Sequence, residues 1–125
     1  MNARNEIEEF VRATFRSVWA LELLCMLRRN RERSLTHREM VDGLRASDFV
    51  VTRSLDNLSS MGLVVRDGEG SARYAPAASD VDRLVERTEE FYAKSPNAVR
   101  RIIASAANPG LTAFADAFRL RKDDK

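Results

Sequence analysis

Cysteine and histidine are almost missing from this chain of 125 residues, which contains one of each. A single cysteine cannot form an internal disulfide, and Cys25 lies in the apolar stretch WALELLCML, where we expect a small buried side chain. One histidine and one cysteine far apart supply no metal-ligand spacing. These scarcities predict a protein without a bound metal, and they favour a reducing compartment, the cytoplasm.

Long apolar runs are also missing. No segment approaches the ~18 apolar residues that a membrane span needs, and the N-terminal sequence MNARNEIEEF lacks the apolar core of a secretory signal. The composition, 44% hydrophobic and 32% charged with a net charge of +2, is ordinary for a globular protein. We therefore expect one domain with its own core and no contact with a membrane.

The residue types that support catalysis are not arranged for it. His37 follows Thr36 in the first turn of a predicted helix, so we expect it to be exposed and structural. The segment DGEGS lacks the Lys-Ser/Thr of a phosphate-binding loop, and no serine lies in a nucleophile-elbow pattern. Adjacent glutamates such as Glu89 and Glu90 cannot face each other on a helix. We therefore expect that the protein is not an enzyme, that it has no catalytic residue and that it binds no cofactor.

Helical periodicity dominates the first half of the chain. Apolar residues recur at helical spacing from Ile7 to Cys25, and Ser17 either divides this segment into two helices or lies within one long helix. Thr36 with Glu39 forms a capping box that opens a short helix. Ser47 is expected to cap the next helix, whose inner side carries Val51, Leu55 and Leu58.

A hairpin and further helices are predicted after this point. Gly62 supplies a left-handed helix end, Leu63 begins a β-favouring run, and DGEGS provides the turn before a return strand that stops at Pro76. Ser79 is expected to cap the next helix, and Ser95 followed by Pro96 at the first helical position is expected to start another. A short amphipathic tail over 111–122 aligns Leu111, Phe114 and Phe118 on one stripe.

This order of elements is that of a winged helix-turn-helix, and the sequence resembles the bacterial MarR-like regulators. The residues that carry the resemblance are VTRSLDNLSSMGLVVRDG, and the likeness covers 34–76. It implies a mainly α fold with a small β-hairpin wing. The segments are then 1–33 (N-terminal helix or helices), 34–76 (winged helix-turn-helix) and 77–125 (C-terminal helices and tail). The resemblance further implies a homodimer formed by the terminal helices.

The resemblance implies a DNA-binding transcriptional regulator that reads duplex DNA with helix 47–61 and wing 64–75. Arg53 could pair with a guanine, Asn57 with an adenine, and Phe49 could pack on a thymine methyl group. The wing contributes Arg73. Phosphate contacts are expected from Arg38 and Arg45. The full set of readout candidates on the helix is Ser47, Asp48, Phe49, Thr52, Arg53, Asp56 and Asn57.

An alternative function is a protein-interaction module. Residues 34–76 contain five bases against six acids. Because most non-specific affinity for DNA comes from basic side chains that neutralise phosphates, this balance does not favour DNA binding. An exposed Phe49 beside Asp48 and Asp56 would suit a protein partner, unless Phe49 packs under another segment such as the tail. The tail itself either docks on its own domain, which we expect, or presents Phe114 and Phe118 to a partner.

Overall fold

The computed structural model describes residues 3–107, which form six helices and one antiparallel hairpin. They are α1 (Ala3–Thr14), α2 (Val18–Arg29), α3 (His37–Leu44), α4 (Asp48–Ser60), β1 (Val64–Asp67), β2 (Ser71–Tyr74), α5 (Ser79–Lys94) and α6 (Pro96–Ala107). The predicted class, mainly α with a small β-hairpin, is confirmed. Within this range, no helix combines the length and apolar character that crossing a membrane requires. The predicted tail 111–122 lies outside the described residues.

Side-chain caps set the helix starts in the first half of the chain. The Ser17 hydroxyl accepts a hydrogen bond from the backbone N–H of Ala20 at 3.1 Å, so the N-terminal segment is two helices. Thr36 and Glu39 form the predicted capping box, and Ser47 caps α4 by accepting from the N–H of Val50 at 3.1 Å. The prediction for α5 is wrong by one residue, because Ala78 takes the extended cap conformation and Ser79 is already helical.

The hairpin pairs β1 with β2 in a register that places Val64 opposite Tyr74 and Asp67 opposite Ser71. The turn places Gly70 at φ 87°, a left-handed conformation that favours glycine. Leu35 extends the sheet by one isolated bridge, exchanging two backbone hydrogen bonds with Ala72 at 2.8 and 3.0 Å. The connection before α3 is therefore tied to β2.

The helix α2 is central to the packing. It contacts α3, α4, β2 and α6, and six of its twelve residues are buried. It was assigned by sequence to the segment 1–33, yet it packs mainly on elements of 34–76. The helices α1, α5 and α6 pack against one another, and one connected hydrophobic core links them to α2 and α4. This arrangement buries one side of α4 and leaves the other side open.

Candidate nucleic-acid interface

The two sides of α4 differ sharply in exposure. Its inner side, Val51, Leu55 and Leu58, is completely buried, as the periodicity predicted. Its outer side is exposed along the length of the helix. We call this outer side the α4 face, and it consists of Ser47, Asp48, Phe49, Thr52, Arg53 and Asp56. All six were predicted from the sequence as readout candidates, and the structure brings them together on one surface.

Phe49 and Arg53 form one unit on the α4 face. They lie one helical turn apart, and the guanidinium carbon of Arg53 is 5.6 Å from the centroid of the Phe49 ring. Phe49 is nevertheless 67% exposed, the highest fraction among the large hydrophobic residues that the structure describes. A cation over an aromatic ring contributes about 0.5–1 kcal/mol at an exposed site. The ring therefore holds the guanidinium in place while leaving both groups accessible.

Asn57 does not belong to the α4 face. It is 5% exposed, its Oδ1 accepts a hydrogen bond from the backbone N–H of Arg16 at 2.9 Å, and its Nδ2 donates to the backbone carbonyl of Thr14 at 2.8 Å. The prediction that Asn57 pairs with an adenine is wrong, because both ends of the amide are already used inside the protein.

An ion pair joins the hairpin to the α4 face. Nη1 of Arg66 on β1 lies 2.6 Å from Oδ1 of Asp56 on α4. Both side chains remain partly exposed, so the pair contributes at most about 1 kcal/mol to stability. At the site, it pairs the carboxylate in the middle of the face with a guanidinium and links β1 to α4. Arg66 was not among the predicted site residues.

The start of α4 meets the start of α3 and the hairpin turn. Nε2 of His37 lies 2.9 Å from Oδ1 of Asp48. A Cβ placed on Gly70 would lie 3.4 Å from the Cβ of His37, so the turn approaches this histidine closely. His37 was predicted to be exposed, but it is only partly exposed, and it contacts the start of α4. These two contacts bring α3, α4 and the hairpin turn together at one end of the α4 face.

The predicted phosphate ligands are all exposed, but they differ in surroundings. Arg38 lies 3.5 Å from Asp42 on α3, whereas Arg45 and Arg73 form no ion pair with any residue in 3–107. Arg45 ends α3 in a left-handed conformation, two residues before the cap of α4. Arg73 lies opposite Val65, on the side of the hairpin away from the buried Ala72 and Tyr74. No contact in the described part of the chain joins Arg73 to the α4 face.

A polar cleft of about 360 Å³ adjoins the α4 face. It lies between the α1–α2 connection and the outer side of α4, and it is lined by Arg16, Ser17, Arg53, Asp56, Asn57 and Ser60. Sequence reasoning missed Arg16. The only signal near it was the break at Ser17, and nothing in the periodicity relates Arg16 to Asn57, which lies 41 residues later in the chain.

The local charge balance also changes once the fold is known. Arg16 lies beside α4, and Arg33 forms two hydrogen bonds with the carboxylate of Glu39 at 2.9 and 3.1 Å. Together with the cap interaction at Thr36, Arg33 lowers the pKa of Glu39 from 4.5 to about 2. Arg16 thus adds a base beside α4 to the five bases and six acids of residues 34–76, which makes the two counts equal, whereas Arg33 is already paired with Glu39 on α3.

Groups suited to covalent or metal chemistry are not gathered at this surface. Cys25 is 8% exposed, and burial together with the nearby Glu89 raises the pKa of its thiol to about 12. Such a thiol is a poor nucleophile because the thiolate is the reactive form. Within residues 3–107, no three histidine, cysteine or acidic side chains cluster closely enough to hold a metal ion.

No protein-family model, curated protein or solved structure matches this chain significantly.

Proposed function

We propose that this protein is a cytoplasmic, non-enzymatic transcriptional regulator of the winged helix-turn-helix class, which binds duplex DNA. Helices α2, α3 and α4 form the helical unit, α4 is the reading helix, and the β1–β2 hairpin is the wing. The order of these elements and the packing of α2 on both α3 and α4 support this assignment. In this class the second helix of the motif enters the major groove and neighbouring elements contact the backbone.

The main support for DNA binding is that the outer side of α4 is exposed. A helix of 13 residues is about 20 Å long and fits lengthwise in a major groove about 12 Å wide. The α4 face is free over this length while the opposite side is anchored in the core. Asp56 and Arg66 keep the wing beside the helix, so both elements would meet one duplex together.

The chemistry of the α4 face suits base edges. Arg53 offers the planar fork that pairs with O6 and N7 of guanine, and Thr52 offers a hydroxyl and a methyl group. Phe49, which lies against Arg53, is suited to a thymine methyl group. Arg38, Arg45 and Arg73 are the phosphate ligands in this proposal, since they are exposed around the helix rather than on it.

Selection of genomic fragments by the purified protein, followed by fluorescence anisotropy on the selected duplex, tests this function. We expect Arg53→Ala to cost about 1–3 kcal/mol and to relax one base position, and Arg73→Ala to weaken all sequences alike. Arg83→Ala, which removes an exposed arginine from α5, is the matched control and should bind as the wild type does. Wild-type affinity in both the Arg53 and the Arg73 variants would exclude this surface as the DNA interface.

A protein-interaction module is the second candidate, and the exposure of Phe49 favours it. Aromatic side chains are enriched in the cores of protein interfaces, and acidic Asp48 and Asp56 flank this ring on the same face. A pull-down from lysate with and without nuclease separates the two functions. Regulation through DNA predicts that nuclease removes the captured material. A protein captured equally with nuclease, and lost with Phe49→Ala, would favour the interaction module.

A further inference from the structure

We propose that Arg16 binds a backbone phosphate of the DNA duplex in the cleft beside α4, and that Asn57 is the positioning residue for Arg16. This inference rests on the proposed DNA-binding function. It adds a contact from the α1–α2 connection, which lies outside both the reading helix and the wing.

The position of Arg16 is fixed by the fold. The Asn57 amide binds the backbone on both sides of Phe15, accepting from the N–H of Arg16 at 2.9 Å and donating to the carbonyl of Thr14 at 2.8 Å. Asn57 and Thr14 are buried, and the ring of Phe15 is also buried in the core. The Arg16 side chain, by contrast, is exposed and lines the cleft. The fold therefore locates the backbone of Arg16 next to α4 and leaves its side chain in the cleft.

The charges in the cleft favour an anion. Arg16 and Arg53 both line it, and neither forms an ion pair with any residue between 3 and 107. Among the described residues that line the cleft, Asp56 carries the one carboxylate, and Arg66 already engages it at 2.6 Å. Two guanidinium groups without an ionic partner thus face a polar space. Guanidinium groups bind phosphate oxygens with two parallel hydrogen bonds, which gives both strength and orientation.

The shape of the cleft points to a phosphate of a polymer rather than to a small ligand. All six lining residues are polar or charged, whereas sites for small molecules are lined mainly by apolar side chains. The cleft also runs beside the C-terminal half of α4, from Arg53 to Ser60. When a helix lies in the major groove, the sugar–phosphate strand passes alongside it. On this geometry the strand passes over the cleft and within reach of Arg16.

Salt-dependent binding of two duplexes tests the inference. The probes are the selected duplex and a random-sequence duplex. Each is about 30 base pairs long, so that it spans all the DNA that the winged helix-turn-helix contacts. We expect Arg16→Ala to weaken binding to both duplexes by the same factor, roughly tenfold, and to reduce the slope of log K against log salt by about one. Arg16→Lys should keep most of the slope, and Arg83→Ala should change neither quantity.

Neutral methylphosphonate substitutions identify the phosphate directly. At one backbone position the substitution should weaken the wild type but leave Arg16→Ala unaffected. Asn57→Ala, measured well below its melting temperature, should reproduce the reduced slope and add little to Arg16→Ala in the double variant. Arg16→Ala with unchanged affinity and slope, or with a loss confined to one base pair, would overturn the inference. If Arg16→Ala bound as the wild type does but Arg53→Ala lost affinity, the Arg16 inference would fail while the proposed DNA-binding function would stand. If the wild type bound neither duplex, the Arg16 inference and the proposed function would both fail.

Discussion

Among single residues, Asn57 joins two parts of the chain that are far apart in sequence. We predict that Asn57→Ala lowers the free energy of unfolding by about 1–3 kcal/mol, because the Thr14 carbonyl and the Arg16 N–H lose their partner at a buried site. Urea denaturation measures this. Thr52→Ala, an exposed position on the same helix, is the control and should change stability by no more than about 0.5 kcal/mol. Equal unfolding free energies for the two variants would contradict the role given to the amide.

The same residue shows where inference from sequence stops. Val51, Leu55 and Leu58 were assigned to the core correctly, since apolar residues at helical spacing define a buried side. Asn57 lies on the flank of α4, where a polar residue suits either solvent or a buried hydrogen bond. Asn57 is buried and hydrogen-bonded because α4 packs against residues 14–16, and this contact forms only in the tertiary fold. Arg16 was missed for the same reason.

At the scale of the elements, the cap of α3 has a predictable dependence on pH. The hydrogen bonds from Arg33 and Thr36 lower the pKa of Glu39 to about 2 in the folded protein, against 4.5 without them. The carboxylate therefore stabilises the fold fully above pH 4.5, and this stabilisation is lost as the pH falls from 4.5 toward 2. We expect Glu39→Gln to remove this part of the acid sensitivity. Unfolding free energies measured across the acid range check it.

Glu86→Gln is the matched control, since Glu86 is exposed on α5 and makes no contact of this kind with residues 3–107. It should keep the acid sensitivity of the wild type. If the free energy of unfolding of both glutamine variants fell with decreasing pH as steeply as that of the wild type, Glu39 would not be the source of the acid sensitivity.

The elements themselves were largely predictable because their signals are local. The capping box at Thr36, the cap at Ser47 and the glycine turn each lie within a few residues of the element that they define. The bridge from Leu35 to Ala72 and the ion pair from Arg66 to Asp56 were not predicted. Both depend on how elements pack, for which a single sequence gives no periodic signal. The pairing that orients the hairpin toward α4 was therefore found only in the structure.

At the scale of the whole molecule, we predict a homodimer formed by the terminal helices. The helices α1, α5 and α6 pack together, and they retain half-buried apolar side chains, among them Phe10, Leu84 and Ile102. A two-fold interface would cover such residues on both copies. Sedimentation at tens of micromolar should give the mass of a dimer, and a monomer at that concentration would exclude this prediction.

The tail 111–122 gives a second prediction at this scale, which rests on its sequence alone. We expect the stripe of Leu111, Phe114 and Phe118 to dock on the protein's own domain. If the two phenylalanines are fully buried, Phe114→Ala and Phe118→Ala should each cost about 3–5 kcal/mol, measured by thermal or urea unfolding. Deleting the chain from Leu111 onward without loss of thermal stability would instead favour the protein-interaction module.

The bridge at Leu35 has a consequence for aggregation. It pairs Ala72 on the outer edge of β2, whereas the outer edge of β1 has no strand beside it in the part of the chain described. That edge is four residues long and ends in the opposite charges Arg66 and Asp67. Short, charged edge strands resist pairing with the strands of another molecule. The hairpin can therefore stay uncovered at the surface without recruiting a second hairpin through β1.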